Sequence, residues 1–291
     1  MIRILTLGAV ALSLAAAPLS AKSKDVVFVT SAAVKDKPVV ALDKAQAYIL
    51  MRSDMATTLQ LMKVPSAEDQ AAYDQMRADA FAEAREKYVK KLASYERTKK
   101  LADSLKKKGS GSTVTVPEKP IEPTETNFEF TAFGLLSGVS IGPINRFAKQ
   151  EGGASVYLQA VTPGVYRIYG PMSVVPNGPV MGTCLCMGSV SFEARAGEIA
   201  DMGTLLVKPE GVATEAEGIR SLNFQLVPAT ADMAVDARLK DVAIRPAAYR
   251  PIGKLPNYYG IEVGRIAAMP GVIGYDRDRI VDLTATGGAR N

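Results

Sequence analysis

Two hydrophobic periodicities divide the chain. Between Ser66 and Lys108 there is neither Gly nor Pro, and Tyr73, Met76, Ala80, Ala84, Tyr88, Leu92 and Tyr95 recur at steps of three and four. That spacing puts them on one helix face. Ser66-Ala67-Glu68-Asp69 offers a capping-box start, with Asp69 at the third helical position. Acids (Glu68, Asp69, Asp74, Asp79) gather early and bases (Lys99, Lys100, Lys106, Lys107, Lys108) late, which complements the helix dipole. At about 1.5 Å of rise per residue the helix reaches roughly 60 Å. That exceeds the core of a small domain, so part of it must project, cross a face or pair with another chain. The stripe is narrow and partly alanine. We expect it to dock on a sheet face, with a coiled-coil partner as the alternative.

Elsewhere the period is two. Val26–Thr30, Val39–Leu42 and Ala45–Arg52 are rich in β-branched and aromatic residues and read as short strands, the first two separated by Asp36-Lys37-Pro38. Phe128, Phe130 and Ala132 alternate with Glu129 and Thr131, and Val190, Phe192 and Ala194 with Ser191, Glu193 and Arg195. Leu222, Phe224 and Leu226 follow the same rule. Val156–Val161 and Val165–Tyr169 flank Thr162-Pro163-Gly164, the chemistry of a type II turn, and read as a hairpin. Short strands with turn signals and no intervening helices predict a mainly β chain, an antiparallel β-sandwich interrupted by one long α-helical insertion.

The boundaries follow. Residues 22–65 form a first β segment, 66–108 the helical insertion, 109–126 a linker that opens on Gly109-Ser110-Gly111-Ser112 and is stiffened by Pro117, Pro120 and Pro123, and 127–230 the main sandwich segment. Residues 231–291, broken by Pro246, Pro251, Pro256 and Pro270, are expected to be irregular, with a hairpin at Val272–Tyr275 and Arg279–Leu283.

Residues 1–21 read as a signal peptide: Arg3, an apolar run over Ile4–Ala17, and cleavage after Ala21, because a cut after Ala17 would leave Pro18 beyond the scissile bond. An uncleaved anchor is the alternative, and no cysteine lies near the junction to take a lipid. The expected location is the periplasm or the exterior. Hydrophobic content of 47% supports a real core. The net charge of +5 is small and sits mainly in the segment ending Lys106-Lys107-Lys108, so no nucleic-acid partner is expected.

Tyr157-Leu158-Gln159-Ala160-Val161-Thr162-Pro163-Gly164-Val165-Tyr166, continued by Phe192–Ile199 and Asp201–Leu205, resembles the strand, Pro-Gly, strand segment of carboxypeptidase-regulatory-like sandwiches. Similar segments occur in uncharacterised envelope proteins of Gram-negative bacteria. The resemblance covers a small part of the chain and implies an extracytoplasmic sandwich used for binding or scaffolding. It carries no catalytic residue across.

The chain has no histidine, which removes Ser-His-Asp and Cys-His catalysis and imidazole metal ligation. Gly138-Val139-Ser140-Ile141-Gly142 has the spacing of a nucleophile elbow, but Pro143 follows and the base is missing, so these read as loop glycines. Carboxylate hydrolysis stays open on Glu193 with Glu198 and on Asp276 with Asp278, although solvated ion pairs account for both. Tyr166, Tyr169, Tyr258 and Tyr259 suggest sugar stacking, yet Tyr166 and Tyr169 fall on opposite strand faces, Tyr258-Tyr259 reads as a tail anchor, and tryptophan is absent.

The one concentration of unusual chemistry is Met181-Gly182-Thr183-Cys184-Leu185-Cys186-Met187, which holds both cysteines. Cys184, Cys186 and Met187 could supply soft ligands to Cu(I) or do thiol redox chemistry. In an oxidising compartment Cys184 and Cys186 could close as a disulfide, which needs a tight turn rather than a strand, or they could be inert buried thiols. The expectation is a non-enzymatic exported protein, cofactor-free unless Cu(I) binds, whose partner is another envelope protein or a second copy engaged through residues 66–108.

Overall fold

Ala47-Tyr48-Ile49-Leu50-Met51 offers no polar positions for a solvent face, as a strand covered on both sides requires. In the structure, a computed structural model that describes residues 26–109, 114–149, 153–174, 178–209 and 222–285, every residue of Ala47–Ser53 is buried. The expected signal peptide lies outside the described residues. In chain order the elements are β1 (Ser31–Ala33), β2 (Ala47–Ser53), β3 (Leu59–Lys63), α1 (Ala67–Lys107), α2 (Phe133–Leu136), β4 (Gly138–Ile141), β5 (Ala148–Lys149) and β6 (Ser155–Val161). Then come β7 (Gly164–Val174), β8 (Val180–Cys184), β9 (Ser189–Ala194), β10 (Glu198–Pro209), β11 (Leu222–Val227), β12 (Ala243–Pro246), β13 (Arg250–Ile252), β14 (Glu262–Val263), β15 (Ile273–Asp276) and β16 (Arg279–Asp282).

The molecule is mainly β, two sheets with one long helix inserted. The first sheet runs β1-β6-β2-β10-β11, with β12 also on β10 and β5 on β6. The second runs β13-β9-β7-β3-β4, with β8 on the far end of β7 and β14 beyond it. Ile49, Met51, Leu61, Ile168, Phe192 and Met202 meet between the sheets. Two smaller clusters cover the outer faces. Val40, Leu42 and Leu239 lie over Tyr48, Leu50 and Leu158 on the first sheet, and Tyr258 and Tyr259 over Tyr169 and Met172 on the second.

Several details differ from the sequence pattern. The sheets are mixed rather than purely antiparallel, because β2 and β12 both run parallel to β10 and β14 runs parallel to β8. Partners so distant in sequence need no hairpin, so turn signals could not report them. Thr162-Pro163-Gly164 does not close a hairpin. It is a corner at which the chain passes from β6 in the first sheet to β7 in the second. The Tyr166 hydroxyl donates to Thr162 O at 2.5 Å across that corner, and Tyr157 and Tyr166 reach the same core from opposite sheets. Val26–Thr30 and Val39–Leu42 are not strands, whereas Leu59–Lys63 is one. The tail is integral rather than irregular, since β12 and β13 extend the two sheets. Its hairpin is β15–β16, one residue offset from the expected first strand.

β3 and β4 are antiparallel neighbours, with Met62 opposite Gly138. The whole helical insertion is therefore the loop of one β-hairpin, leaving and re-entering the second sheet at the same end. Ser66 caps it as expected: Ser66 Oγ accepts from Asp69 N–H at 3.1 Å and Asp69 Oδ2 accepts from Ser66 N–H at 2.9 Å. The expected docking on a sheet face does not occur. α1 is 41 residues long and none of them is buried.

Candidate functional site

The arm is built from α1 and the chain that returns beside it. At its base Tyr73 packs on Phe130 and Phe133, with ring centroids 5.5 and 5.8 Å apart, and Phe28 closes the cluster at 4.9 Å from Phe133. Phe81 meets Phe128 at 5.1 Å, and Arg77 pairs with Glu125 at 2.8 Å. The alternation of Phe128 and Phe130 is thus not a sheet strand. It is the signature of an extended chain laying every second side chain on a helix.

From Arg77 to the end of α1 is about 45 Å of helix. The returning chain meets the nearer part of the helix at Glu125, Phe128 and Phe130, and Pro117, Pro120 and Pro123 stiffen the described residues before it. Along the distal half, Leu92 on the stripe and Leu105 beyond it are half-buried, while Leu101 is 52% exposed. The recorded contacts of the returning chain with α1 lie at Tyr73, Arg77 and Phe81, in the half nearer the sandwich.

What seats the arm is an ion pair. Lys63, a buried residue at the end of β3, places its ammonium against the Asp69 carboxylate in the first turn of α1. Burial opposes ionisation of Asp69, but the hydrogen bond from Lys63, joined by those from Ser66, holds its carboxyl below the ordinary range. Tyr166 lies beneath, its phenol pushed up by burial and by the Asp69 charge. A second pair ties adjacent strands within the first sheet. Arg52 of β2 and Asp201 of β10 meet at 2.7 Å, both side chains 4% exposed. Arg52 also donates to Ala234 O at 3.3 Å, and Asp201 accepts from Gly203 N–H at 2.9 Å. Sequence reasoning singled out neither Lys63 nor Arg52. A lone base within an apolar run was the available signal.

The cysteines lie elsewhere, on the outer face of the second sheet. Cys184 ends β8, Cys186 sits in the turn that follows, and their sulfurs form a disulfide with Cα atoms 5.1 Å apart. Leu185 between them enters the inter-sheet core, while both cysteines join the outer cluster of Met62, Tyr169 and Met172. Backbone bonds pin the turn: Leu185 N–H to Tyr169 O at 2.7 Å, Gly264 N–H to Cys184 O at 2.7 Å, and Leu255 N–H to Cys186 O at 3.0 Å. Gly170 permits the approach, since a Cβ there would lie 2.1 Å from Thr183 O. Met187 is partly exposed, on a surface hollow shared with Val263, Gly264, Arg265 and Asp278. With the sulfurs joined, neither thiolate is available to a soft metal until the bond is reduced. Among the described residues no group of three Cys, Asp or Glu side chains converges as a metal site.

The remaining candidates are dispersed. Glu193 pairs with Arg195 at 2.8 Å and Glu198 with Arg245 at 3.2 Å, both around one small hollow, so each carboxylate already faces a cation. Asp276 pairs with Arg279 at 3.0 Å, whereas Asp278 lines the hollow beside Met187. Gly138-Val139-Ser140-Ile141 is strand β4 rather than a loop, and Ser140 Oγ donates to Gln60 Oε1 at 2.5 Å. Tyr166 and Tyr169 lie in different clusters, and Tyr258 and Tyr259 pack on Tyr169 at 6.1 and 5.6 Å, which fixes the tail.

Among the described residues no helix is long and apolar enough to cross a membrane. Compared with known proteins, the chain matches no family model, no curated sequence and no solved structure.

Proposed function

We propose that this chain is an exported, non-enzymatic binding or scaffolding protein of the cell envelope, in which a β-sandwich holds out a helical arm as the contact element. One observation carries the reading: a helix of 41 residues without a single buried side chain, rooted in a hairpin of the sandwich by an ion pair from the buried Lys63 to Asp69. Most helices in proteins are held by packing an amphipathic face on the core, so a long one that contributes nothing to the core points to use of its outer surface. The leader-like first 21 residues, with their charged start and apolar run, support export.

The test replaces residues 66–132 with a short Gly-Ser loop joining β3 to β4. The full-length protein is expected in the particulate envelope fraction, and the shortened chain is expected to keep cooperative unfolding but to leave that fraction. A shortened chain that unfolds, or that is retained as well as the parent, overturns the proposal.

A further inference from the structure

The charge along the arm is polarised beyond what a helix needs. Between Lys87 and Lys108 lie nine Lys and Arg side chains against Glu96 and Asp103. Their net charge exceeds the +5 of the entire chain. The nearer half is the reverse, with six carboxylates against Arg77 and Arg85.

The helix macrodipole rewards cations only in the last turn, so it accounts for Lys106, Lys107 and Lys108 but not for Lys87–Lys100. All nine cations are exposed, and among the described residues only Lys87 has an ion-pair partner, Glu83 at 2.6 Å. The return segment does not neutralise them: Glu118, Lys119 and Glu122 sum to only −1, Glu125 pairs with Arg77 in the nearer half, and no described carboxylate of that segment pairs with the distal helix. Clustering so many like charges opposes helix stability, and among the described residues only the Lys87–Glu83 pair offsets it.

Resting on the arm as the contact element, we propose that its distal half docks on a surface of anionic lipid headgroups. Three features select this occupant. Eight of the nine cations are Lys and one, Arg97, is Arg; lysine is a point charge without the guanidinium fork that reads individual carboxylates or phosphodiesters. At 100° per residue these positions surround the helix instead of forming one stripe, so a rigid protein face could meet only some of them, whereas a fluid surface can gather around a tip. The aromatic residues that would stack on nucleic-acid bases, Tyr88 and Tyr95, are half-buried on the stripe, while Leu101 remains exposed among the lysines.

Each lysine near such a surface contributes about five-fold to partitioning. Flotation of the full mature chain with phosphatidylcholine vesicles, with and without phosphatidylglycerol, reads this directly. The parent is expected to float only with the anionic vesicles and to be released at high salt. The variant carrying Lys99→Gln, Lys100→Gln, Lys106→Gln, Lys107→Gln and Lys108→Gln is expected to lose at least about 100-fold in partitioning, with unchanged helical circular dichroism. Equal flotation of parent and variant overturns the proposal, as does equal binding to neutral and anionic vesicles. Displacement of the parent from vesicles by polyglutamate or duplex DNA at matched charge concentration also overturns it, in favour of an acidic protein or a nucleic acid, and leaves the arm's binding role standing. The loss of that role is read separately, from envelope retention of the arm-less chain.

Discussion

The ammonium of Lys63, buried at the end of β3, meets the carboxylate of Asp69 in the first turn of α1. One contact thus joins the sandwich to the arm and completes the cap of the helix at the same time. Asp69→Asn keeps an acceptor for Ser66 N–H but removes the charge facing Lys63. It is expected to cost about 2–4 kcal/mol near neutral pH, because it strands a buried cation. The pH dependence has a definite sign. The folded-state pKa of Asp69 is depressed, so its contribution is present above the unfolded carboxylate value of 3.8 and disappears as pH falls through the lower folded value. Urea unfolding of parent and variant should differ by a constant amount above pH 5 or so and converge as the solution becomes more acidic. A difference that grows on acidification would contradict the assignment.

The Arg52–Asp201 pair makes a different demand. Arg52→Met leaves Asp201 buried beside the backbone of Gly203 with no countercharge and is expected to cost about 3–5 kcal/mol. Adding Asp201→Leu should recover part of that loss, since two apolar side chains bury no charge. A double-mutant cycle in guanidinium measures this, and simple additivity of the two losses would show that the pair is not coupled.

Two glycines separate backbone necessity from mere occurrence. Gly203 interrupts the register of β2 against β10 with φ +91°, and a Cβ there would fall 2.0 Å from Val227 O. Gly203→Ala is expected to cost more than about 3 kcal/mol or to prevent folding. Gly253, with nothing near its Cβ position, is the control. Gly253→Ala should be neutral or stabilising by up to about 1 kcal/mol in urea unfolding.

The local signals in the sequence were the readable ones. The capping box at Ser66, the stripe from Tyr73 to Tyr95 and the alternation through Phe192 each depend on residues a few positions apart, and each corresponds to an element that formed. Contacts between distant segments left no such trace. Leu59–Lys63 was missed because Gln60 and Lys63 look like solvent residues; Ser140, 80 residues on, makes the burial of Gln60 tolerable, and Asp69, only six residues on but across the start of the helix, that of Lys63. Thr162-Pro163-Gly164 announces a chain reversal but not which sheet receives the next strand. Phe128–Ala132 shows why period two reports an extended chain on an apolar surface, whatever that surface is. The cysteine turn left its alternatives open for the same reason: spacing gives no backbone direction, and the bonds from Gly264 and Leu255 set it.

The disulfide between Cys184 and Cys186 has a stoichiometric consequence. Protein denatured without reductant should take up no iodoacetamide, and protein denatured with reductant should take up one label at each cysteine, read by intact mass. The loop it closes is very short, so Cys184→Ala with Cys186→Ala is expected to cost only about 1–2 kcal/mol in the chain-entropy account. Labelling of both cysteines without reductant would contradict the bond.

The most direct measurement of the arm's role places a photo-crosslinking benzoylphenylalanine at Leu101, 52% exposed on the distal arm, or at Val263, 48% exposed on the sandwich. Illumination of cells that express each variant should yield adducts to lipid or protein from position 101 and none from position 263. Adducts that form only from position 263 would mean that the sandwich makes the contact and that the arm does not.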